Sequence, residues 1–197
     1  CIPTFTASKT TIGEPQIGSY GLYFGRVTEE KGVETVIKAY EKLPEYTVKI
    51  MGDDTTDEAK RLKKYVKDHK MKNVEFLGFK SGEELEDIIK GARFTLIPSI
   101  WYDNLPNTAL ESFQYSKPVI ASNIGSLPEL VSDGENGYLF EPSNVEDLIK
   151  KIKMLDDDIL VKKMGQASRK RLENRFAPQS HYEALMKIFN EAVKNRK

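Results

Sequence analysis

Strand-like and helix-like segments alternate from Tyr20 to Phe140, and that alternation constrains the fold more than any other feature of the chain. Short apolar runs at Tyr20–Phe24, Tyr46–Met51, Val74–Leu77, Phe94–Pro98, Pro118–Ala121 and Gly137–Phe140 predict strands. Between them, residues 33–43, 57–69, 83–92, 107–115 and 126–132 predict helices. The first sets Val33, Val36, Ile37, Tyr40 and Leu43 on one stripe, and the third sets Leu85, Ile88, Ile89 and Ala92 on another. Repeated strand–helix units imply βαβ crossovers and a parallel sheet covered on both faces, which suits strands that are apolar throughout. The expected fold is α/β, a Rossmann-like doubly wound parallel sheet of about six strands. Extra C-terminal helices follow at 144–155, 157–173 and 178–195. The last carries Tyr182, Leu185, Met186, Phe189 and Val193 on a stripe that needs a packing partner. Residues 1–19, with Pro, Gly, Ser and Thr and no periodicity, read as a linker. A start at Cys1 rather than Met reads as a fragment of a longer protein.

The 197 residues suit one domain. Thirty basic and 30 acidic residues give zero net charge, which argues against a dedicated nucleic-acid binder. The single cysteine excludes an intramolecular disulfide and a cysteine-based zinc site, and a reducing, cytoplasmic compartment fits. The two histidines, His69 and His181, are far apart and read as surface or packing residues. No apolar stretch approaches the ~20 residues of a membrane span, and no signal peptide is visible.

In a doubly wound sheet, ligands bind beyond the C-terminal strand ends. After the first strand come Gly25, Arg26, Lys31 and Gly32, two glycines and two cations at a helix start. Such a start suits a phosphate group, although a turn with solvated cations has the same local sequence. G-x-G-x-x-G and G-x-x-x-x-G-K-[ST] are both absent, which disfavours a dinucleotide fingerprint and a P-loop. After the fourth strand runs Pro98-Ser99-Ile100-Trp101-Tyr102-Asp103-Asn104-Leu105-Pro106-Asn107-Thr108-Ala109-Leu110-Glu111. Pro106 suits a helix start, and Asn107 and Glu111 share a helix face one turn apart. Free first-turn N–H groups would meet phosphate, and the two carboxylates would accept from sugar hydroxyls. The alternative is that Asp103 caps a turn and Glu111 is merely solvated.

These pieces together resemble the C-terminal, donor-binding domain of the family 4 retaining glycosyltransferases, one half of the two-domain GT-B fold. The matching segments span roughly residues 20–190: Gly25-Arg26…Lys31-Gly32, Phe76-Leu77-Gly78, Pro98-Ser99, Asp103-x7-Glu111, Lys117-Pro118-Val119-Ile120-Ala121, Gly125-Ser126-Leu127-Pro128-Glu129-Leu130 and Asp133-Gly134-x-Asn136-Gly137-Tyr138-Leu139. The resemblance implies that Arg26 and Lys31 grip the donor diphosphate and offset leaving-group charge without a metal or cofactor. It implies that Glu111 binds the nucleotide ribose and that Asp103 contacts the donor sugar. Asn104, Leu105, Pro106, Asn107 and Thr108 lie in the segment whose backbone meets phosphate and sugar. Phe79 and Lys80 border the nucleobase, and Gly25 lets the backbone approach the ligand. The expected function is transfer of a hexose, with UDP as the expected nucleotide, to a glycan or lipid-linked acceptor. Residues 1–19 would be the linker from an N-terminal acceptor domain, 20–175 the nucleotide-sugar domain, and 176–197 a helix that crosses back. The full enzyme would be cytoplasmic, with peripheral contact to the inner membrane face.

The chain departs from the family pattern in places. Asp103 stands where glutamate is usual, Asn104-Leu105-Pro106 replaces Gly-Phe-Gly, and Gly52-Asp53-Asp54-Thr55 replaces G-x-G-P. Other readings are an epimerase, a phosphorylase using Lys117 as a Schiff-base lysine, or a non-catalytic nucleotide-binding module. Asp156-Asp157-Asp158 reads as a helix cap rather than a metal motif, and the lysine-rich 60–72 segment as a solvated face rather than a membrane contact. Trp101 and Tyr102 read as packing beneath their loop at least as well as stacking on a ligand.

Overall fold

A computed structural model describes residues 16–176 and 178–194. The alternation folds into six parallel strands: β1 (Tyr20–Phe24), β2 (Thr47–Met51), β3 (Val74–Gly78), β4 (Ala92–Ile97), β5 (Val119–Ser122) and β6 (Gly137–Phe140). Their order is β3-β2-β1-β4-β5-β6. The chain winds outward from β1 to β3, then returns to β4 on the other side of β1. Loops leaving β1 and β4 therefore diverge, and a crevice opens between them.

Helices α1 (Val33–Glu41), α2 (Asp57–Asp68), α3 (Gly82–Lys90), α4 (Asn107–Gln114) and α5 (Leu127–Leu130) connect the strands. Alternate strand residues face opposite layers. Tyr23, Ile50, Leu96 and Ile120 pack with Val36, Ile37 and Tyr40 of α1 and Leu62 of α2. On the other face Leu22, Phe24 and Met51 meet Ile89 of α3, while Ile97, Val119 and Ala121 meet Leu110 and Phe113 of α4. Both faces of the sheet are thus apolar and covered.

Helices α6 (Val145–Met154), α7 (Asp158–Arg175) and α8 (Pro178–Lys194) complete the chain. The Asp157 side chain accepts from the backbone N–H groups of Ile159 and Leu160, so the aspartate run caps α7 as expected. The lysines of α2 lie on an ion-paired surface, with Lys60 on Asp57, Lys63 on Asp54 and Lys64 on Asp68. Tyr182, Phe189 and Val193 of α8 are exposed. Among the described residues no helix is long and apolar enough to cross a membrane. Residues 1–15 of the expected linker, Cys1 included, and the His181 side chain lie outside the described residues.

Candidate functional site

The exit of β1 is shaped by Gly25, whose φ of 146° lies where side-chain-bearing residues are strained. Its N–H donates to the Met51 carbonyl at 2.9 Å, tying the β1 and β2 exits. The hydroxyl of Tyr23, buried in β1, donates to the Arg26 carbonyl. Burial, then the negative charge of Asp103, pushes the Tyr23 pKa up, so it remains a neutral donor. With its backbone held, Arg26 projects an exposed guanidinium that has no ion pair among the described residues.

The expected anion-binding start of α1 needs correction. Residues Glu29–Lys31 form a 3-10 turn, and Gly32, at φ 67°, packs under the β4 exit. A Cβ there would sit 2.0 Å from the Pro98 carbonyl oxygen. The start of α1 faces a separate groove lined by Glu29, Glu34, Glu58 and Lys38, in which Lys38 is already paired with Glu34. The open helix end at the crevice belongs to α4. It begins at Asn107 after Pro106, with no side chain capping its first turn.

Two loops close on each other across the crevice. Ile100 N–H donates to the Glu30 carbonyl at 3.0 Å, and the Ser99 hydroxyl donates to the same oxygen at 3.1 Å. Lys31 Nζ lies 2.7 and 2.8 Å from the two carboxylate oxygens of Asp103. The Ser126 hydroxyl donates to the Asp103 carbonyl at 2.9 Å. Asp103 is therefore an ion-paired residue, not a turn cap.

The crevice has two adjoining chambers. One, of about 200 Å³, is lined by Arg26, Lys31, Asp103, Pro106, Asn107 and Thr108. The other, of about 320 Å³, is lined by Arg26, Asp53, Phe79, Lys80, Thr108 and Glu111. Gly25, Arg26 and Thr108 border both, so they form one continuous groove. Burial raises the Glu111 pKa, and its carboxylate has no hydrogen-bond partner among the described residues. Glu111 is thus a desolvated acceptor aimed into the groove, rather than a solvated helix residue.

The strand-end reading brings together Gly25, Arg26, Lys31, Asp103, Pro106, Asn107, Thr108, Glu111, Phe79 and Lys80. It does not bring in Asn104, which is exposed, or the Leu105 side chain, which packs against the core beneath α4. Gly52 and Asp53, from the loop that departs from G-x-G-P, line the groove, and Leu85 lines it without having been expected there. Asp53 directly follows β2, so the same strand-end rule points to it; Leu85 carries no signal beyond its apolar helix stripe. Trp101 and Tyr102 do not pack beneath their loop, because they are 65% and 76% exposed. His69 stacks on Tyr65 at 3.9 Å between ring centroids, away from the groove. Lys117 sits before β5, at the opposite sheet edge. Its buried ammonium donates to the carbonyls of Gln16, Lys90 and Ala92, so it is no Schiff-base lysine for this cleft.

Residues 8–171 match the family described as glycosyl transferases group 1. An uncharacterised glycosyltransferase of Methanocaldococcus jannaschii is 30% identical over 174 residues, 88% of this chain and 48% of that protein. The chain spans about half the length of the curated relatives it matches. The C-terminal domain of a group 1 glycosyl transferase, LpcC from Francisella tularensis, superposes with a TM-score of 0.71 at 27% identity, covering 83% of this chain and 89% of that one. HepE of Anabaena, solved with UDP and glucose, superposes with a TM-score of 0.79 at 21% identity, over 88% of this chain and 48% of HepE; that likeness is one of fold.

Proposed function

The chain belongs to the group 1 glycosyl transferases, and on that premise we propose that it is the donor-binding half of a retaining, metal-independent hexosyltransferase. The whole enzyme would move a hexose from a nucleoside diphosphate, with UDP favoured, to a glycan or lipid-linked acceptor at the cytoplasmic face of the membrane. HepE carries UDP in the same fold, which supports the choice of base.

The observation that carries the reading is the order of groups along one groove. Phe79 and Glu111 lie at one end, Arg26 and the open start of α4 in the middle, and Lys31 with Asp103 at the other. A nucleoside diphosphate sugar has the same order: base and ribose, then two phosphates, then a hexose. Glu111 would accept from the ribose hydroxyls. Arg26 and the first N–H groups of α4 would hold the diphosphate and stabilise the charge that develops as the sugar departs. The acceptor would bind on an N-terminal domain outside this chain, with α8 presenting Tyr182 and Phe189 to it.

Calorimetric titration with UDP, GDP and ADP tests this proposal. One of the three should bind, and Arg26→Ala should weaken that binding roughly ten- to a hundredfold while thermal stability is kept. Absence of binding by all three would overturn the donor-site assignment. Sugar transfer by this chain alone would overturn the assignment of the acceptor to another domain.

A further inference from the structure

We infer that Trp101 and Tyr102 form a stacking platform for a pyranose ring at the open end of the groove, an inference that rests on the donor-site reading above. The groove has a direction. Phe79 and Glu111 mark the nucleoside end, so the Lys31–Asp103 end faces the sugar. Trp101 and Tyr102 directly precede Asp103, which lines that end.

Their exposure is held in place by the backbone. Ile100 N–H is bonded to the Glu30 carbonyl, which also accepts from the Ser99 hydroxyl, and the Trp101 carbonyl accepts from the Asp103 N–H at 2.9 Å. Past the pair, Ser126 holds the Asp103 carbonyl, and Gly125 lies so close that a Cβ there would approach the Tyr102 α-carbon to 3.2 Å. The loop is therefore tied on both sides of the aromatic pair. Two large rings left in water forgo a burial free energy of roughly 1.5–3 kcal/mol each, which a ligand covering them would recover.

The surroundings select the ligand chemistry. A pyranose has a face of C–H groups ringed by hydroxyls. The C–H face complements the negative face of an aromatic ring, and the hydroxyls need polar partners at the ring edge. Here the two aromatic residues are followed directly in the chain by Asp103, which lines the groove, and by the exposed Asn104. Apolar rings and polar side chains thus come from one short loop at the end of the groove where the donor-site reading puts the sugar.

Trp101 is the chain's single tryptophan, so its fluorescence reports this site alone. The chain is titrated with the diphosphate that binds, then with its glucose, galactose and N-acetylglucosamine conjugates, following Trp101 emission and binding heat together. We expect the bare diphosphate to leave emission unchanged and at least one conjugate to shift it to shorter wavelength. A donor sugar on the platform would do this directly. A shift seen only when methyl glucoside is added to the diphosphate-bound chain places an acceptor sugar there, which also supports the platform. Trp101→Ala and Tyr102→Ala should each weaken the responding sugar ligand roughly three- to tenfold and leave the bare diphosphate unaffected. Binding heat from every ligand with no emission change and no loss in either variant overturns the platform while sparing the donor site. No heat from any nucleotide overturns both.

Discussion

Lys31 and Asp103, 72 residues apart, share a bidentate contact across the mouth of the groove, with Nζ 2.7 and 2.8 Å from the two carboxylate oxygens. Their side chains are 21% and 17% exposed, so solvent screens the pair only partly. The Asp103 carboxylate occupies the Lys31 ammonium, which on the proposed donor-site reading a phosphate would otherwise meet. The pair also ties the β1 exit to the β4 exit at that end of the groove.

Removing the internal anion should release the ammonium. Asp103→Ala is expected to tighten binding of the bare diphosphate by about 1 kcal/mol, or roughly fivefold, as a partly shielded ion pair no longer competes. The same variant should bind the sugar conjugate no better than the bare diphosphate. Calorimetry on both ligands checks this, and an unchanged diphosphate affinity would remove Asp103 as the competing anion.

Arg26 has no such competitor among the described residues and should contribute more. Arg26→Ala is expected to cost on the order of 1.5–3 kcal/mol of diphosphate affinity, the worth of a charge-assisted contact. Binding of the nucleoside without phosphates should be untouched. An equal loss for both ligands would sink the diphosphate assignment.

On the proposed reading, Glu111 would trade stability for binding. Its folded-state pKa is raised by burial, so between the ordinary carboxylate value of 4.5 and that raised value the folded chain binds more protons than the unfolded one. Stability therefore falls as pH rises through this window, because the ionised form is the desolvated one. Glu111→Gln should unfold at a higher temperature than the parent near neutral pH, with the difference shrinking toward acid. The same variant should bind ribonucleotide more weakly and discriminate less against deoxyribose. Parallel melting curves for parent and variant across pH would contradict the desolvation argument.

Much of this architecture is legible in the sequence because the sheet is buried on both faces. β1 and β6 fall on the residues that their apolar runs mark, Tyr20–Phe24 and Gly137–Phe140. Ala92 is an exception. Its apolar character extends the α3 stripe, yet α3 stops at Lys90 and Ala92 opens β4. Ala92 is as buried as Ile89 of the α3 stripe, so periodicity does not separate them. Arg26, Lys31 and Glu111 could be found because they follow strands or lie one turn into a helix. Tyr23 could not, since a tyrosine in an apolar strand reads as core, and its role lies in a bond to the Arg26 carbonyl. The exposure of Trp101 and Tyr102 depends on Ser99, Glu30 and Ser126, contacts distant in sequence that no local pattern encodes.

Lys117 provides the last prediction, at the sheet edge away from the groove. The residue is 1% exposed, and its ammonium donates to three carbonyls, at 2.7 Å to Gln16, 2.6 Å to Lys90 and 2.7 Å to Ala92. These join the segment entering β1, the end of α3 and the start of β4. Lys117→Met removes the three donors and leaves the carbonyls in an apolar setting, at an expected cost of about 3 kcal/mol. Burial also pushes the lysine pKa down to about 8 from 10.5. Between those values the unfolded chain binds more protons than the folded one, so the parent should gain stability relative to the variant as pH rises across that window. Nucleotide affinity should be the same in both, because the clamp and the groove lie at opposite ends of the strands. Loss of affinity in a Lys117→Met chain that remains folded would show that the entering segment and the groove are coupled through the sheet.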